Sequence, residues 1–102
     1  MQDKVTHKFL LGFIQIHILH HAGKEPFYGV WMIEELHEHG YDISPGTLYP
    51  LLHQMESTGL LEKEDRIFEG KIRKYYRITN LGKAVLKEAK QKAYELFNEI
   101  KD

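Results

Sequence analysis

The stretch from residue 43 to residue 61 combines an apolar helical stripe with a polar side suited to hydrogen bonding. At 100° per residue, four apolar side chains share one arc: Leu48, Leu51, Leu52 and Met55. The hydroxyl, imidazole and amide groups elsewhere on this stretch can bond to phosphates and base edges. The candidate DNA-contacting residues of this helix are Ser44, Thr47, Tyr49, Pro50, His53 and Gln54.

The ends of this helix are marked by residues that favour helix boundaries. Ser44 followed by Pro45 predicts a start, because a serine hydroxyl can cap free amides and proline suits the first helical position. Gly59 predicts the stop. Pro50 leaves an alternative, since a helix that begins at Ser44 would lose a backbone bond there, whereas a cap at Thr47 would place Pro50 in the first turn.

A second group of polar residues follows in a segment with strand-like alternation. Residues 60–67 and 71–78 predict a β-hairpin whose tip is Phe68-Glu69-Gly70. Five cations and a single acid, Glu69, lie within residues 66–77, although the net charge of the chain is −1. Cations at a turn beside a tyrosine suit phosphate binding. The candidate phosphate contacts are Arg66, Lys71, Arg73, Lys74 and Tyr75.

The elements that must position these groups are mostly helical. A chain of 102 residues is long enough for one compact domain. We predict helices over about residues 6–22 and 28–39, and a last helix that is capped by Thr79 or Asn80 and ends near Lys101. The second helix has acidic residues on its outer side, so that side should face away from DNA. Its Trp31 falls on the same side, where packing beneath a neighbouring helix is the expected role.

The first and last helices have more apolar surface than a domain of this size can bury. The first is apolar around most of its circumference, which predicts burial from more than one side and hence a second subunit. The expected dimer or effector surface comprises Phe9, Phe13, Ile16, His17, Ala93, Tyr94, Leu96, Phe97 and Ile100. The predicted fold is mainly α with a small β-hairpin, a winged helix-turn-helix over residues 1–79 and a dimerisation helix over residues 80–102.

Seven histidines and no cysteines bear on metal binding and catalysis. His17, His20 and His21 have helical i, i+3, i+4 spacing, so a metal-responsive protein is one hypothesis, although no metal ligand or cofactor is assigned. At His17, an interface histidine and a pH-sensitive contact are both open. Without cysteine, disulfides and thiolate sites are excluded. No phosphate loop or serine elbow is present, so we do not expect an enzyme.

Three motifs resemble the PadR family of bacterial and archaeal transcriptional regulators, in particular its small members with one C-terminal helix. They are Ser44-Pro45-Gly46-Thr47-Leu48-Tyr49-Pro50, Met55-Glu56-Ser57-Thr58-Gly59-Leu60-Leu61, and the segment from Gly70 to Gly82. The match covers about residues 28–86. The chain departs from the family at Tyr28-Gly29-Val30, where glycine usually precedes tyrosine, and it has no tryptophan in the last helix.

The resemblance implies a cytoplasmic homodimeric repressor that binds a pseudo-palindromic operator in double-stranded DNA. It also implies release by an effector, which could be a small aromatic or hydrophobic molecule. Tyr94 and Phe97 are the aromatic residues nearest to the position of the missing tryptophan, and they are the candidates to contact that effector. A membrane partner is not expected. Two alternatives remain at this point: a winged-helix module that binds protein instead of DNA, motivated by the acidic net charge, and the metal-responsive regulator.

Overall fold

Four helices and three strands make up residues 4–102, the part of the chain that the computed structural model describes. The first three residues of the predicted N-terminal domain lie outside it. The elements are α1 (Lys4–Lys24), β1 (Phe27–Tyr28), α2 (Gly29–Glu38), α3 (Pro45–Ser57), β2 (Leu61–Phe68), β3 (Lys71–Ile78) and α4 (Asn80–Ile100). The four predicted helices and the hairpin are confirmed, with boundaries shifted by about two residues or fewer. Within the described range, no helix has the length and hydropathy needed to span a membrane.

The apolar stripes of α1, α2 and α3 meet in one core under the sheet. Each stripe recurs at helical spacing, so burying it stabilises the helix and its packing together. The four residues predicted for the inner side of α3 are all buried. The buried hydrophobic residues are Ile14, Ile18, Leu19, Ala22, Phe27, Met32, Leu36, Ile43, Leu48, Leu51, Leu52, Met55, Leu61 and Tyr76.

The sheet is antiparallel in the order β1-β3-β2. β2 and β3 form the predicted hairpin, in register from Leu61 opposite Ile78 to Phe68 opposite Lys71. The turn is Glu69-Gly70, and both residues have positive φ, 53° and 77°. Two central residues of positive φ fit the right-handed twist of the strands, which explains a glycine here.

Strand β1 was missed by sequence reasoning, which placed Tyr28 at the start of the second helix. Phe27 pairs with Tyr76 and Tyr28 with Tyr75, so this short strand extends the hairpin into a three-stranded sheet. A strand of two residues is too short to show a hydrophobic period in the sequence, so it can be identified only from its pairing with β3.

The junction between the hairpin and α4 is held closely. Thr79, one of the two predicted caps, is the N-cap residue, and its hydroxyl oxygen accepts a hydrogen bond from the Gly82 amide at 2.9 Å. That hydroxyl donates its proton to the Gly59 carbonyl, and the Leu60 carbonyl lies 3.2 Å from it. A Cβ on Gly82 would collide with the Leu60 carbonyl and come within 2.7 Å of Ile78. The first turn of α4 therefore packs directly on the backbone at the base of the hairpin, and Leu86 in the next turn packs against the core.

Candidate nucleic-acid interface

Helix α3 begins at the Ser44-Pro45 step, so the alternative start at Thr47 is wrong. Ser44 has extended backbone angles, and its carbonyl accepts from the amides of Thr47 and Leu48 at 3.0 and 2.9 Å. Its hydroxyl makes no capping bond to the backbone and donates instead to Thr47 Oγ1 at 3.4 Å. Ser44 is therefore the N-cap residue at the predicted boundary, but the capping bond expected from its hydroxyl is not formed.

Pro50 lies inside α3, in the second turn and on its exposed side. Proline has no N–H, so the carbonyl of Gly46, four residues earlier, does not receive the usual helical bond. Gly46 is also exposed. An acceptor on the outer face is thus open to water or to a ligand donor.

Tyr49 is held in place by the start of α2. A Cβ on Gly29 would lie 2.6 Å from both Cε1 and the hydroxyl oxygen of Tyr49, so only a glycine admits the ring in this position. Tyr49 is half-buried and packs against the core. The Tyr28-Gly29-Val30 order, in which this chain departs from the family pattern, therefore places its glycine against α3.

A groove of about 660 Å³ runs between the start of α2, the exposed side of α3 and strand β3. Tyr49 and His53 line it from α3, and Ile72 and Lys74 line it from β3. Hydroxyl, imidazole and ammonium groups thus border one continuous depression. A ligand seated against α3 would reach the hairpin at the same time.

The hairpin divides its cations between two faces, as strand alternation requires. Lys74 has the same parity as the buried Tyr76 and borders the groove, whereas Arg73, Tyr75 and Arg77 have the opposite parity. Arg77 is bound to its cross-strand neighbour, with Nη2 2.8 Å from Glu62 Oε2 and Nη1 3.7 Å from Glu64. The hydrogen bond to Glu62 and the charges of both acids raise the pKa of Arg77.

The two other hairpin arginines stack on aromatic rings. The guanidinium carbon of Arg73 is 4.1 Å from the ring centre of Tyr28 and 4.0 Å from that of Phe68. Arg66 lies 4.6 Å from the Tyr75 ring and 3.3 Å from Glu64. Stacking fixes a guanidinium while leaving donors at its edge.

The lysines differ from the arginines in having no such partners. Lys71 and Lys74 are exposed and take part in no ion pair within residues 4–102. The charge of each is therefore not paired with a carboxylate of the described residues.

The structure brings together only part of the predicted DNA-contacting set. Tyr49, His53 and Lys74 share the groove, and Arg73 borders it. Ser44, Thr47 and Gln54 lie at the two ends of α3, where Ser44 and Gln54 are exposed. Arg66 and Tyr75 instead border a separate cavity of about 490 Å³ on the other side of the hairpin.

Trp31 lines this separate cavity. Its ring lies 5.4 Å from that of His21, in an edge-on arrangement, and 6.4 Å from that of Phe27. It thus packs on α1, the neighbouring helix, which agrees with the role expected for it. No sequence signal pointed to the cavity itself, because the cavity depends on β1.

The predicted dimer or effector surface is exposed along both end helices. Phe9 and Phe13 of α1 are 73% and 48% exposed, and Phe97 of α4 is 62% exposed. Ile16 and His17 are half-buried, while Ala93, Tyr94, Leu96 and Ile100 are exposed. Among residues 80–100, all of them described, Gly82 is the single buried one. Exposed apolar side chains thus recur along both end helices.

Three comparisons with known proteins agree with this geometry. Residues 18–88 match the Transcriptional regulator PadR-like family. The chain is 46% identical over 87 residues to Transcriptional regulator Rv3488 of Mycobacterium tuberculosis, covering 85% of this chain and 81% of the relative.

Two solved structures illustrate the similarity of fold. A PadR-like transcriptional regulator from Bacillus cereus superposes with a TM-score of 0.85 at 32% identity, over 92% of this chain and 93% of that one. A PadR family transcriptional regulator from Eggerthella lenta gives a TM-score of 0.80 at 35% identity, over 91% of this chain and 82% of that one. The predicted winged helix-turn-helix architecture is thereby confirmed.

Proposed function

Because the chain belongs to the PadR-like family of transcriptional regulators, we propose that it binds double-stranded DNA as a homodimer and represses transcription. It is a regulator and not an enzyme. In this proposal residues 1–79 bind DNA, residues 80–102 dimerise, and the protein acts on chromosomal DNA in the cytoplasm. A small aromatic or hydrophobic effector, bound where the end helices of the two subunits meet, changes the dimer and ends repression.

The groove shared by α3 and the hairpin is the observation on which DNA binding rests. Tyr49 and His53 border it from α3 and Lys74 from β3, so base-edge and phosphate contacts could form together. An α-helix fits the major groove of B-DNA, where imidazole and amide groups distinguish base pairs. We assign base contacts to His53 and Gln54, two exposed polar residues in the C-terminal half of α3.

Affinity is expected to come mainly from the hairpin, because α3 contains no lysine or arginine. Lys71 and Lys74 are exposed cations, and Arg73 is oriented by its two aromatic neighbours. Cations neutralise phosphates and release counterions, which supplies affinity but no sequence information. Arg66 and Tyr75 are proposed as phosphate contacts at the outer side of the same hairpin.

The dimer is proposed to form through α1 and α4. Their exposed aromatic side chains, Phe9 and Phe13 on one helix and Tyr94 and Phe97 on the other, form an apolar surface that a second subunit would cover. Tyr94 and Phe97 are the aromatic residues of α4, and they are therefore the best candidates to contact an effector.

The test is to titrate fluorescent random-sequence duplex with the full-length protein over a range of salt. Lys74→Ala and Arg77→Ala each remove one positive charge from β3, but only Lys74 borders the groove. With two subunits, Lys74→Ala should lower the slope of log K against log salt by about 1.8. Arg77→Ala should leave the slope close to wild type.

Equal salt slopes for Lys74→Ala and Arg77→Ala would contradict the assignment of Lys74 to the DNA interface. Complete absence of binding at low salt would favour the rival function, a winged-helix module that binds protein. By contrast, His53→Ala or Gln54→Ala should change which sequences are selected from a random pool while preserving the salt slope.

A further inference from the structure

Four metal-ligating side chains converge where the second half of α1 packs against the end of α2. Imidazole nitrogens of His17, His21 and His39 all lie within 4.8 Å of one another. Glu35 joins them, since its Oε2 is 3.2 Å from His21 Nε2 and 2.9 Å from His39 Nε2. His17 is also part of the proposed dimerisation surface, whereas His21, His39 and Glu35 belong neither to that surface nor to the proposed DNA-binding residues.

Two i, i+4 pairs on facing helices create the arrangement. His17 and His21 lie one turn apart on α1, and Glu35 and His39 lie one turn apart at the end of α2. Residues four apart project from the same side of a helix, which is why paired ligands at this spacing can bind one ion. The sequence indicated His17, His20 and His21, but the third histidine of the cluster is His39.

The rings are oriented by aromatic neighbours as well as by Glu35. The ring of His17 lies 4.9 Å from that of His39 and 5.2 Å from that of Tyr41, which meets it edge-on. His21 is packed edge-on against Trp31 at 5.4 Å. The cluster is thus held by residues of α1, α2 and the following turn.

Burial favours the neutral form of two of these imidazoles. Burial, followed by the nearby His39, His21 and His20, lowers the pKa of His17. Burial also lowers the pKa of His21, opposed by Glu35. A neutral imidazole has a free lone pair, which is the form that binds metal.

We propose that His17, His21 and His39, with Glu35 as the fourth ligand, bind one divalent late first-row transition metal ion, with Zn²⁺ as the best fit. Three nitrogens and one carboxylate oxygen suit tetrahedral Zn²⁺, whereas Mg²⁺ and Ca²⁺ take mainly oxygen ligands. Ligand atoms at 2.0–2.1 Å from a tetrahedral zinc are about 3.3 Å apart. Small rotations of half-exposed side chains would close the present spacing.

The proposal does not depend on DNA binding, so it is tested with the protein alone. Full-length chain without a histidine tag is stripped with EDTA, dialysed, and titrated with ZnCl₂ at pH 7 in a calorimeter. We expect one ion per chain and a rise in melting temperature that saturates at the same ratio. Co²⁺ in place of Zn²⁺ should give the strong visible absorption bands of a four-coordinate site.

His39→Gln and His20→Gln form the matched pair of variants. Both histidines are exposed, so neither substitution should affect folding, and His20 is outside the cluster. His39→Gln should weaken Zn²⁺ binding at least about tenfold, as should Glu35→Gln, whereas His20→Gln should bind as wild type does. Absence of Zn²⁺ binding by the wild type, wild-type affinity in His39→Gln or Glu35→Gln, or an equal loss in His20→Gln would each overturn the proposal.

Discussion

Lys74 and Arg77 lie three residues apart on β3, yet their surroundings give them different chemistry. Lys74 borders the groove beside His53, whereas Arg77 is bound to Glu62 on the neighbouring strand. A cation already paired with a carboxylate gains less from a phosphate, because the first partner must be given up. Whether a cation on a strand can bind a ligand therefore depends on the residue opposite it on the neighbouring strand. A count of lysines and arginines in the sequence does not contain this information.

The histidines of α1 should make stability depend on pH. The pKa values of His17 and His21 are lowered below 6.5 in the folded chain, chiefly by burial. The unfolded chain then binds more protons, so folding stability should be full above about pH 6.5 and should fall as the pH drops through the lowered values. Urea unfolding in EDTA should therefore show a higher midpoint at pH 7.5 than at pH 5.5.

A His17→Gln variant provides the comparison for this pH effect. It removes one of the two titrating groups and the repulsion that His17 exerts on the others, so the difference between the two midpoints should shrink. The acids elsewhere in the chain are unchanged and contribute equally to both proteins. If the urea midpoint of His17→Gln varied with pH as steeply as that of the wild type, His17 would not be a source of the pH dependence.

At the level of elements, the close contact between α4 and the hairpin is possible because Gly82 has no side chain. Gly82→Ala would force a methyl group against the Leu60 carbonyl, which is held by a hydrogen bond from the Thr79 amide at 3.2 Å. Overpacking of this kind costs about 1–3 kcal/mol. We expect a melting temperature lower by roughly 4–8 °C per kcal/mol, measured by circular dichroism.

Gly23→Ala is the matched control for this substitution. Its added methyl group would meet the same residue, Ile78, but at 3.9 Å, an ordinary contact. Gly23 lies inside α1, where alanine is favoured over glycine by about 0.5–1 kcal/mol. Gly23→Ala should therefore be neutral or stabilising, and equal destabilisation by both variants would show that Gly82 has no special role.

The sequence predicted elements that have their own period and missed features that depend on pairing. The stripe of α3, its start at Pro45 and the glycine turn of the hairpin each follow from local residues. By contrast, β1 exists only because Phe27 lies opposite Tyr76, and the pairing of Arg77 with Glu62 requires the strand register. Likewise, His39 reaches His17 only through the packing of α2 on α1.

For the whole molecule, the exposed surface of α4 predicts its oligomeric state. Helix α4 has 21 residues, about 31 Å at 1.5 Å per residue, and Phe97 lies on its apolar side. Phe97→Glu would place a charge in the proposed interface and should raise the dimer dissociation constant roughly 100-fold, since a buried unpaired charge costs several kcal/mol. Sedimentation equilibrium measures this shift.

Gln91→Glu controls for charge, because it adds the same negative charge on the opposite, polar side of α4. Its dissociation constant should remain within a fewfold of the wild-type value. A dimer that survives Phe97→Glu unchanged, or a wild-type protein that is monomeric at micromolar concentration, would exclude α4 as the dimer contact.

The symmetry of a dimer extends this argument to the DNA. In the proposed dimer, a two-fold axis between the α4 helices would relate two copies of α3. Each subunit should then contact an equivalent half-site, and the two half-sites should form an inverted repeat. Recognition helices of such dimers lie about one helical turn apart, roughly 34 Å, which is about 10 base pairs. Selection from a random duplex pool, followed by sequencing and footprinting, should therefore return an inverted repeat with this spacing.

Phe97→Glu should recover at most a single half-site with weaker binding, because the two α3 helices are then no longer linked. If the wild type instead selects one asymmetric half-site, or a direct repeat, the proposed arrangement of the subunits on DNA is incorrect even where the groove contacts of His53 and Lys74 hold.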